Sequence, residues 1–157
     1  MHPANKVFIG LVGASLLTSA TLWEGTRYSS YSDLAGVLTV CQGYTGKDIV
    51  RGLKYTPAQC NAFLKKELLV HSQAVLKCTN VPLTLNQYYA FTLFTYNVGT
   101  AAYCNSSLVK KLNLGNYQGA CDGLLKWTYA KGKHVNGLYN RRVYERQMCL
   151  GTLHVKD

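Results

Sequence analysis

Two carboxylates and a hydroxyl occur at a spacing that could support cleavage of a glycosidic bond. Glu24 directly follows an apolar segment, Asp33 lies nine residues further on, and Thr39 follows six residues later. The apolar neighbours Leu22 and Trp23 would help Glu24 keep a proton, whereas the polar surroundings of Asp33 would favour its ionised form. One carboxyl could then protonate the leaving oxygen while the other prepares a water, which Thr39 could hold. Spacing alone is a weak signal, because any Glu and Asp nine residues apart would match.

The composition describes a basic chain with a substantial core. Its 157 residues suit one domain or two small lobes, and an apolar share of 48% excludes general disorder. Charged residues make up only 15%, too few for a coiled coil, and a single segment is apolar enough to span a membrane. The net charge of +10 predicts an anionic partner. Because the basic residues are scattered in ones and twos, they argue against nucleic acid and leave an acidic membrane face or cell-wall polymer.

Six cysteines predict three disulfides and an oxidising compartment. The alternative is a cytosolic protein with six buried thiols. No C-x-x-C pair occurs and the four histidines are isolated, so we expect neither a zinc site nor any other metal or cofactor. The cysteines are Cys41, Cys60, Cys78, Cys104, Cys121 and Cys149.

The N-terminal region contains one export signal. Val7 to Trp23 are 17 uncharged residues preceded by Lys6. A helix of that length reaches about 25 Å, the short limit for spanning a bilayer, and its many small residues make insertion only marginally favourable. Lys6 favours a cytoplasmic N-terminus, so the rest of the chain would be exported.

Three interpretations of this segment compete. A signal peptide could be cleaved after Ala20. A permanent anchor could pack through a stripe of Gly10, Ala14 and Thr18. A weak anchor could instead leave the bilayer and fold onto the protein, and this is the interpretation that we favour.

The remaining chain predicts short strands and turns followed by helices. Residues 24–55 lack a helical period, whereas Thr56 and Thr84 each open a capping box. We expect one long helix over 57–77 and a second that stops near Gly99. Further helices are expected from Ser106 or Ser107 to a point before Gly115, over 117–131, and over 138–150 with Gly151 as the cap.

These elements predict an α+β, mostly helical, two-lobed fold. Residues 1–22 would be the export segment and 23–157 the folded domain. Within it we expect a small α/β lobe at about 23–56, a connecting helix at about 57–77 and a helical lobe at about 80–157.

The stretch that carries Glu24, Asp33 and Thr39 resembles the active-site region of phage-type lysozymes, glycoside hydrolase family 24. The similarity continues from Trp23 to Gly151 as a series of short sequence blocks that occur in the same order as in the family. Taken together, these blocks make the resemblance specific. They are residues 23–25, 31–41, 45–49, 55–56, 96–99, 106–113, Trp127 and 137–146.

The resemblance implies a cleft that binds peptidoglycan glycan strands and hydrolyses the bond from N-acetylmuramic acid to N-acetylglucosamine. Glu24 would be the general acid, while Asp33 and Thr39 would position the water, with inversion of configuration. Asn97 would bind sugar, and Arg141 would pair with Glu24, although a close cation opposes a protonated acid. Tyr44 replaces a histidine that relatives often carry, and it cannot titrate near neutral pH.

The N-terminal segment resembles that of signal-anchor-release endolysins. Such enzymes are held on the inner membrane, facing the periplasm, through a segment corresponding to residues 7–23. They become soluble in the periplasm when a holin collapses the membrane potential. We therefore expect a monomeric lysis enzyme, and we expect deletion of residues 1–22 to leave a soluble but poorly active chain.

Six cysteines allow 15 pairings, and three bridges fit the expected elements. Cys121–Cys149 would join the last two long helices, Cys78–Cys104 would close the helix after Thr84, and Cys41–Cys60 would tie the small lobe to the connecting helix. Two other functions stay open: a lytic transglycosylase, and a non-enzymatic cationic protein that binds membranes or cell walls.

Overall fold

The structure, a computed structural model, describes residues 1–157. Two short 3₁₀-helices, Pro3–Phe8 and Leu124–Lys126, accompany seven α-helices and four β-strands. The bounds are α1 Ala14–Glu24, β1 Arg27–Ser32, β2 Leu38–Cys41, α2 Pro57–Cys78, α3 Leu85–Val98, α4 Thr100–Cys104, α5 Ser107–Asn113, α6 Tyr117–Gly123, β3 Tyr129–Ala130, β4 Lys133–His134 and α7 Asn136–Cys149.

Both predicted capping boxes are confirmed. The Thr56 hydroxyl accepts the Gln59 amide while the Gln59 side chain accepts the Thr56 amide, and Thr84 and Gln87 repeat the arrangement. Each pair satisfies two amides that a helix start leaves without partners. The caps therefore set where α2 and α3 begin, and these two helices pack against each other.

The small lobe consists of the antiparallel hairpin β1–β2 and the loop that leads to α2. Tyr31 lies opposite Thr39 in the hairpin register. The lobe has its own small core, against which Phe63 of α2 packs. Its buried members are Val40, Cys41, Tyr44, Ile49, Tyr55 and Cys60.

The main core surrounds α3, which is buried over most of its length. Tyr88, Tyr89, Phe91, Leu93 and Phe94 are all fully buried on this helix. A helix that is buried over most of its length must be enclosed by other elements. In this protein α2, α4, α7 and α1 enclose it.

The N-terminal segment is part of this core, but it is not a single helix. It begins as the 3₁₀-helix, turns at Gly10 where φ is +77°, and continues as α1. Phe8, Leu16 and Ala20 join the main cluster of buried side chains. The Tyr88 hydroxyl donates to the carbonyls of Phe8 at 3.2 Å and Leu11 at 2.8 Å. No helix in the structure combines the length and apolar character needed to span a bilayer.

The two ends of the chain meet at the start of α1. The Ser15 amide donates to Asp157 Oδ1 at 2.8 Å, and the Ser15 hydroxyl donates to the Lys156 carbonyl at 2.8 Å. The Tyr89 hydroxyl donates to the other oxygen of the Asp157 side chain. The cap residue Gly13 has no side chain of its own, and Asp157 supplies the acceptor instead.

The three expected disulfides are confirmed. Cys41–Cys60 joins β2 to α2, Cys78–Cys104 joins α2 to α4, and Cys121–Cys149 joins α6 to α7. All six cysteines are paired. Each bridge links elements that are far apart in sequence, which restricts the unfolded chain.

The helix expected over 117–131 is wrong beyond Gly123. The chain continues through the second 3₁₀-helix into a hairpin, β3–β4. Lys131 and Gly132 form its two-residue turn, with φ values of +50° and +74°. Positive φ at both positions matches the twist of a tight hairpin. That turn preference, together with glycines at 119 and 123, outweighs the helical pattern.

Candidate active site

Glu24 is the last residue of α1 and lies against a buried arginine. Arg141 donates from Nη1 to Glu24 Oε1 at 2.6 Å. The Arg141 side chain is only 6% exposed, whereas that of Glu24 is 26% exposed. The apolar cover expected from Leu22 is absent, because this side chain is 64% exposed, whereas Trp23 is half-buried against Tyr144. The helix turns its carboxyl towards α7 instead.

Arg141 belongs to a cluster of four charged side chains. Glu145 is fully buried and lies 3.2 Å from Arg141 Nε and 2.8 Å from Arg142 Nε. Arg142 also donates to Asn97 Oδ1 at 3.0 Å and stacks over the Phe94 ring. Burial raises the pKa of Glu145, and the two guanidiniums oppose that shift. Burial likewise lowers the pKa of Arg142. With Glu24, the cluster contains two guanidiniums and two carboxyl groups.

Replacing Glu145 with Gln is expected to lower the free energy of unfolding by about 3–5 kcal/mol, because it leaves two buried guanidiniums without their shared carboxylate. Urea unfolding measures the change. Glu67→Gln is the matched control, because the Glu67 side chain makes no ion pair or hydrogen bond, and we expect a change within about 0.5 kcal/mol. Equal stability of the two variants would contradict a structural role for the cluster.

A groove of about 260 Å³ lies beside Glu24. Of the residues proposed from sequence, Glu24, Tyr44 and Asn97 line it. Its other lining residues come from the small lobe and from α2 and α3, so the groove lies between the two lobes. They are Gln42, Gly43, Thr45, Glu67, His71 and Tyr96.

Tyr44 is held rigidly in the groove wall. Its hydroxyl donates to Asp48 Oδ1 at 2.7 Å, and its ring stacks on Phe63 with 4.2 Å between centroids. The hydrogen bond to Asp48 raises the pKa of Tyr44 and lowers that of Asp48. Tyr44 therefore stays neutral at physiological pH and offers a shaped surface rather than a charge.

Asp33 and Thr39 do not line this groove. Asp33 lies at the exposed tip of the β1–β2 hairpin, where its Oδ1 accepts the amides of Ala35 at 2.9 Å and Val37 at 2.8 Å. Thr39 is 4% exposed, and its hydroxyl donates to the Val37 carbonyl at 3.0 Å. Both side chains bind their own turn, so their part in catalysis stays a prediction.

Sequence reasoning missed the contribution of α2 to the groove. His71 Nδ1 lies 2.7 Å from the Glu67 carbonyl, and the imidazole meets the Tyr96 ring edge-on at 5.3 Å. Burial raises the pKa of Tyr96, and the negative charges of Glu24 and Glu67 add to the shift. Two glutamates therefore lie near one tyrosine. The available signal was the spacing of Glu67 and His71, four residues apart on one helix face.

Comparison with known proteins agrees with the fold. The family profile described as phage lysozyme matches residues 21–145. A SAR-endolysin of Bacteriophage PS119 is 40% identical over 161 residues, covering 96% of both chains. The structure of an endolysin from Escherichia coli O157:H7 phage FAHEc1 superposes with a TM-score of 0.82 at 31% identity, covering 93% of this chain and 97% of that one.

A third comparison concerns a protein whose structure is described as the active form of P1 phage endolysin Lyz. Its TM-score is 0.79 at 25% identity, covering 93% of this chain and 88% of the other. These matches confirm the expected α+β, mostly helical, two-lobed fold.

The chain therefore belongs to the phage lysozyme family. It is a glycoside hydrolase of the lysozyme type.

Proposed function

We propose that this enzyme is a muramidase that hydrolyses the β-1,4 bond from N-acetylmuramic acid to N-acetylglucosamine in peptidoglycan and so lyses the phage host. The observation that carries the proposal is a carboxyl, Glu24, at the edge of an interlobe groove and paired with the buried Arg141. A glycan strand is long and narrow, and a groove between two lobes is a suitable shape to bind it.

Glu24 acts as the general acid in this proposal. It gives its proton to the leaving oxygen, and Arg141 at 2.6 Å stabilises the carboxylate that remains. Because Arg141 shares its charge with Glu145, it holds Glu24 less strongly than a free guanidinium would.

Asp33 supplies the second carboxyl. Its Oδ1 is occupied by two backbone amides, so Oδ2 is the oxygen that can orient a water. Thr39 supports the same water through the lone pairs of its hydroxyl. The water attacks the anomeric carbon from the face opposite the leaving oxygen and gives its proton to Asp33 Oδ2, and the configuration is inverted.

Asn97 and Tyr44 bind the sugars. Asn97 Oδ1 already accepts a hydrogen bond from Arg142. The side-chain NH₂ group of Asn97 can therefore donate to a sugar or acetyl oxygen. Tyr44 gives the groove an aromatic wall held by Asp48. No metal or cofactor takes part in this scheme.

Export follows the signal-anchor-release route in this proposal, which the name of the PS119 relative supports. Residues 7–23 first hold the chain in the host inner membrane, facing the periplasm, with Glu24 pinned at the headgroups. When a holin collapses the membrane potential, the segment leaves the lipid and folds against α3. The enzyme then acts as a monomer in the periplasm.

Product analysis tests the reaction. Hydrolysis should release muropeptides with a reducing N-acetylmuramic acid end, and mass spectrometry of digested peptidoglycan measures them. A lytic transglycosylase needs an acid but no catalytic water, so it would leave 1,6-anhydromuramic acid. Anhydro products in place of reducing ends would overturn the proposal in favour of that alternative.

A further inference from the structure

The folded N-terminal segment leaves part of its apolar surface uncovered. Phe8 and Val12 are buried in the core, but Val7 is 74% exposed, Ile9 57% and Met1 48%. Met1 and Ile9 border a shallow depression of about 330 Å³ together with Leu76 of α2. We call Met1, Lys6, Val7, Ile9 and Lys77 the N-terminal surface.

This surface carries positive charge and no carboxylate of its own. Lys77 borders the same depression as Met1 and Ile9, and the terminal ammonium lies 3.4 Å from Asn80 Oδ1. Lys6 lies in the last turn of the 3₁₀-helix, and the amide of the cap residue Ile9 donates to its carbonyl at 3.1 Å, so the two residues are close in the fold. All seven acidic residues of the chain lie outside 1–23 and 68–121, the ranges that contain this surface.

Exposed aliphatic side chains beside cations can be compared with three possible partners: a second copy of the chain, a glycan and an acidic phospholipid surface. A second copy of the chain would bring two surfaces of the same charge together, and each molecule already carries +10. A glycan would need several hydrogen-bonding side chains, but Gln73 and Lys77 are the only polar residues that border the depression. An acidic phospholipid surface offers acyl chains to the aliphatic groups and phosphates to Lys6 and Lys77.

We propose that the N-terminal surface docks the folded enzyme on anionic phospholipid at the periplasmic face of the inner membrane after the anchor has left the bilayer. The cellular setting rests on the proposed export route, whereas the lipid affinity belongs to the folded chain alone. Each cation near an acidic bilayer strengthens partitioning about fivefold. Glu24 lies at the other end of α1, about 16 Å along its axis, so the groove stays open to glycan.

Vesicle flotation of the purified, oxidised full-length protein tests this. We expect it to float with vesicles of phosphatidylethanolamine and phosphatidylglycerol, to stay in solution with phosphatidylcholine vesicles, and to be released by high salt. The double variant V7S/I9S should bind at least about tenfold more weakly. The matched control V50S/L114S removes two aliphatic side chains of similar exposure elsewhere and should bind like wild type.

Absence of binding to the anionic vesicles would overturn the proposal, and so would equal binding of V7S/I9S and wild type. Binding that resists high salt would also overturn it, because that result indicates insertion rather than docking. Digestion of purified peptidoglycan is measured in parallel. V7S/I9S should digest it like wild type, and a wild-type protein that fails to digest it contradicts the proposed function without bearing on the lipid result.

Discussion

Removal of residues 1–22 is expected to abolish both cooperative unfolding and muralytic activity, a larger loss than the soluble but poorly active chain expected from the sequence. The deletion takes away Phe8, Val12 and Leu16, all buried against α3, and the first nine residues of the helix that ends at Glu24. Burying each large side chain contributes about 1.5–3 kcal/mol. The three together therefore match much of the roughly 5–15 kcal/mol that stabilises an entire domain. Near-ultraviolet circular dichroism during heating and a peptidoglycan turbidity assay measure the two losses.

A single substitution separates packing from the wider effects of a truncation. Leu16→Ala should lower the free energy of unfolding by about 2–5 kcal/mol, because Leu16 is fully buried. Thr18→Ala is the control, since Thr18 is exposed on the same helix and should change stability by no more than about 0.5 kcal/mol. For the deletion variant without residues 1–22, full muralytic activity would show that the N-terminal segment has no part in the folded enzyme.

Glu24→Gln should reduce the rate of lysis by about 10²–10⁴-fold, the usual contribution of a general acid. Glutamine keeps the shape of the side chain and can still accept from Arg141, but it has no proton to give to a glycosidic oxygen. Turbidity loss of chloroform-treated Gram-negative cells measures the rate.

Asp122→Asn is the matched control for this loss. Like Glu24, Asp122 is a carboxylate that pairs with an arginine; it lies on the exposed side of α6, and its partner Arg146 is 2.7 Å away. The substitution therefore makes the same carboxyl-to-amide change away from the groove. We expect wild-type rates from it. Lysis that survives Glu24→Gln would instead support the non-enzymatic alternative, a cationic protein that disrupts membranes or binds walls.

Local signals in the sequence predicted the elements well. The capping boxes at Thr56 and Thr84 depend only on residues three apart, and both form as expected. The Lys131–Gly132 turn is equally local, but the helical pattern around it concealed the hairpin. The expectations failed where two competing local preferences had to be weighed.

The site was only partly predictable because its electrostatics depend on contacts between distant parts of the chain. The pairing of Glu24 with Arg141 was expected from the resemblance, but the cluster with Glu145 was not. No spacing in the sequence shows that Glu145 is fully buried, and none places Glu67 in the same groove as Glu24. Those facts arise from the packing of α7 and α2 around α3.

The contact between Asp157 and Ser15 has a consequence for the order in which the protein folds. The two residues are 142 positions apart, so the acceptor at the start of α1 comes from a segment that is synthesised long after the helix itself. While only the first part of the chain exists, the Ser15 amide lacks this acceptor. The start of α1 is therefore completed only after the residues around Asp157 have been made.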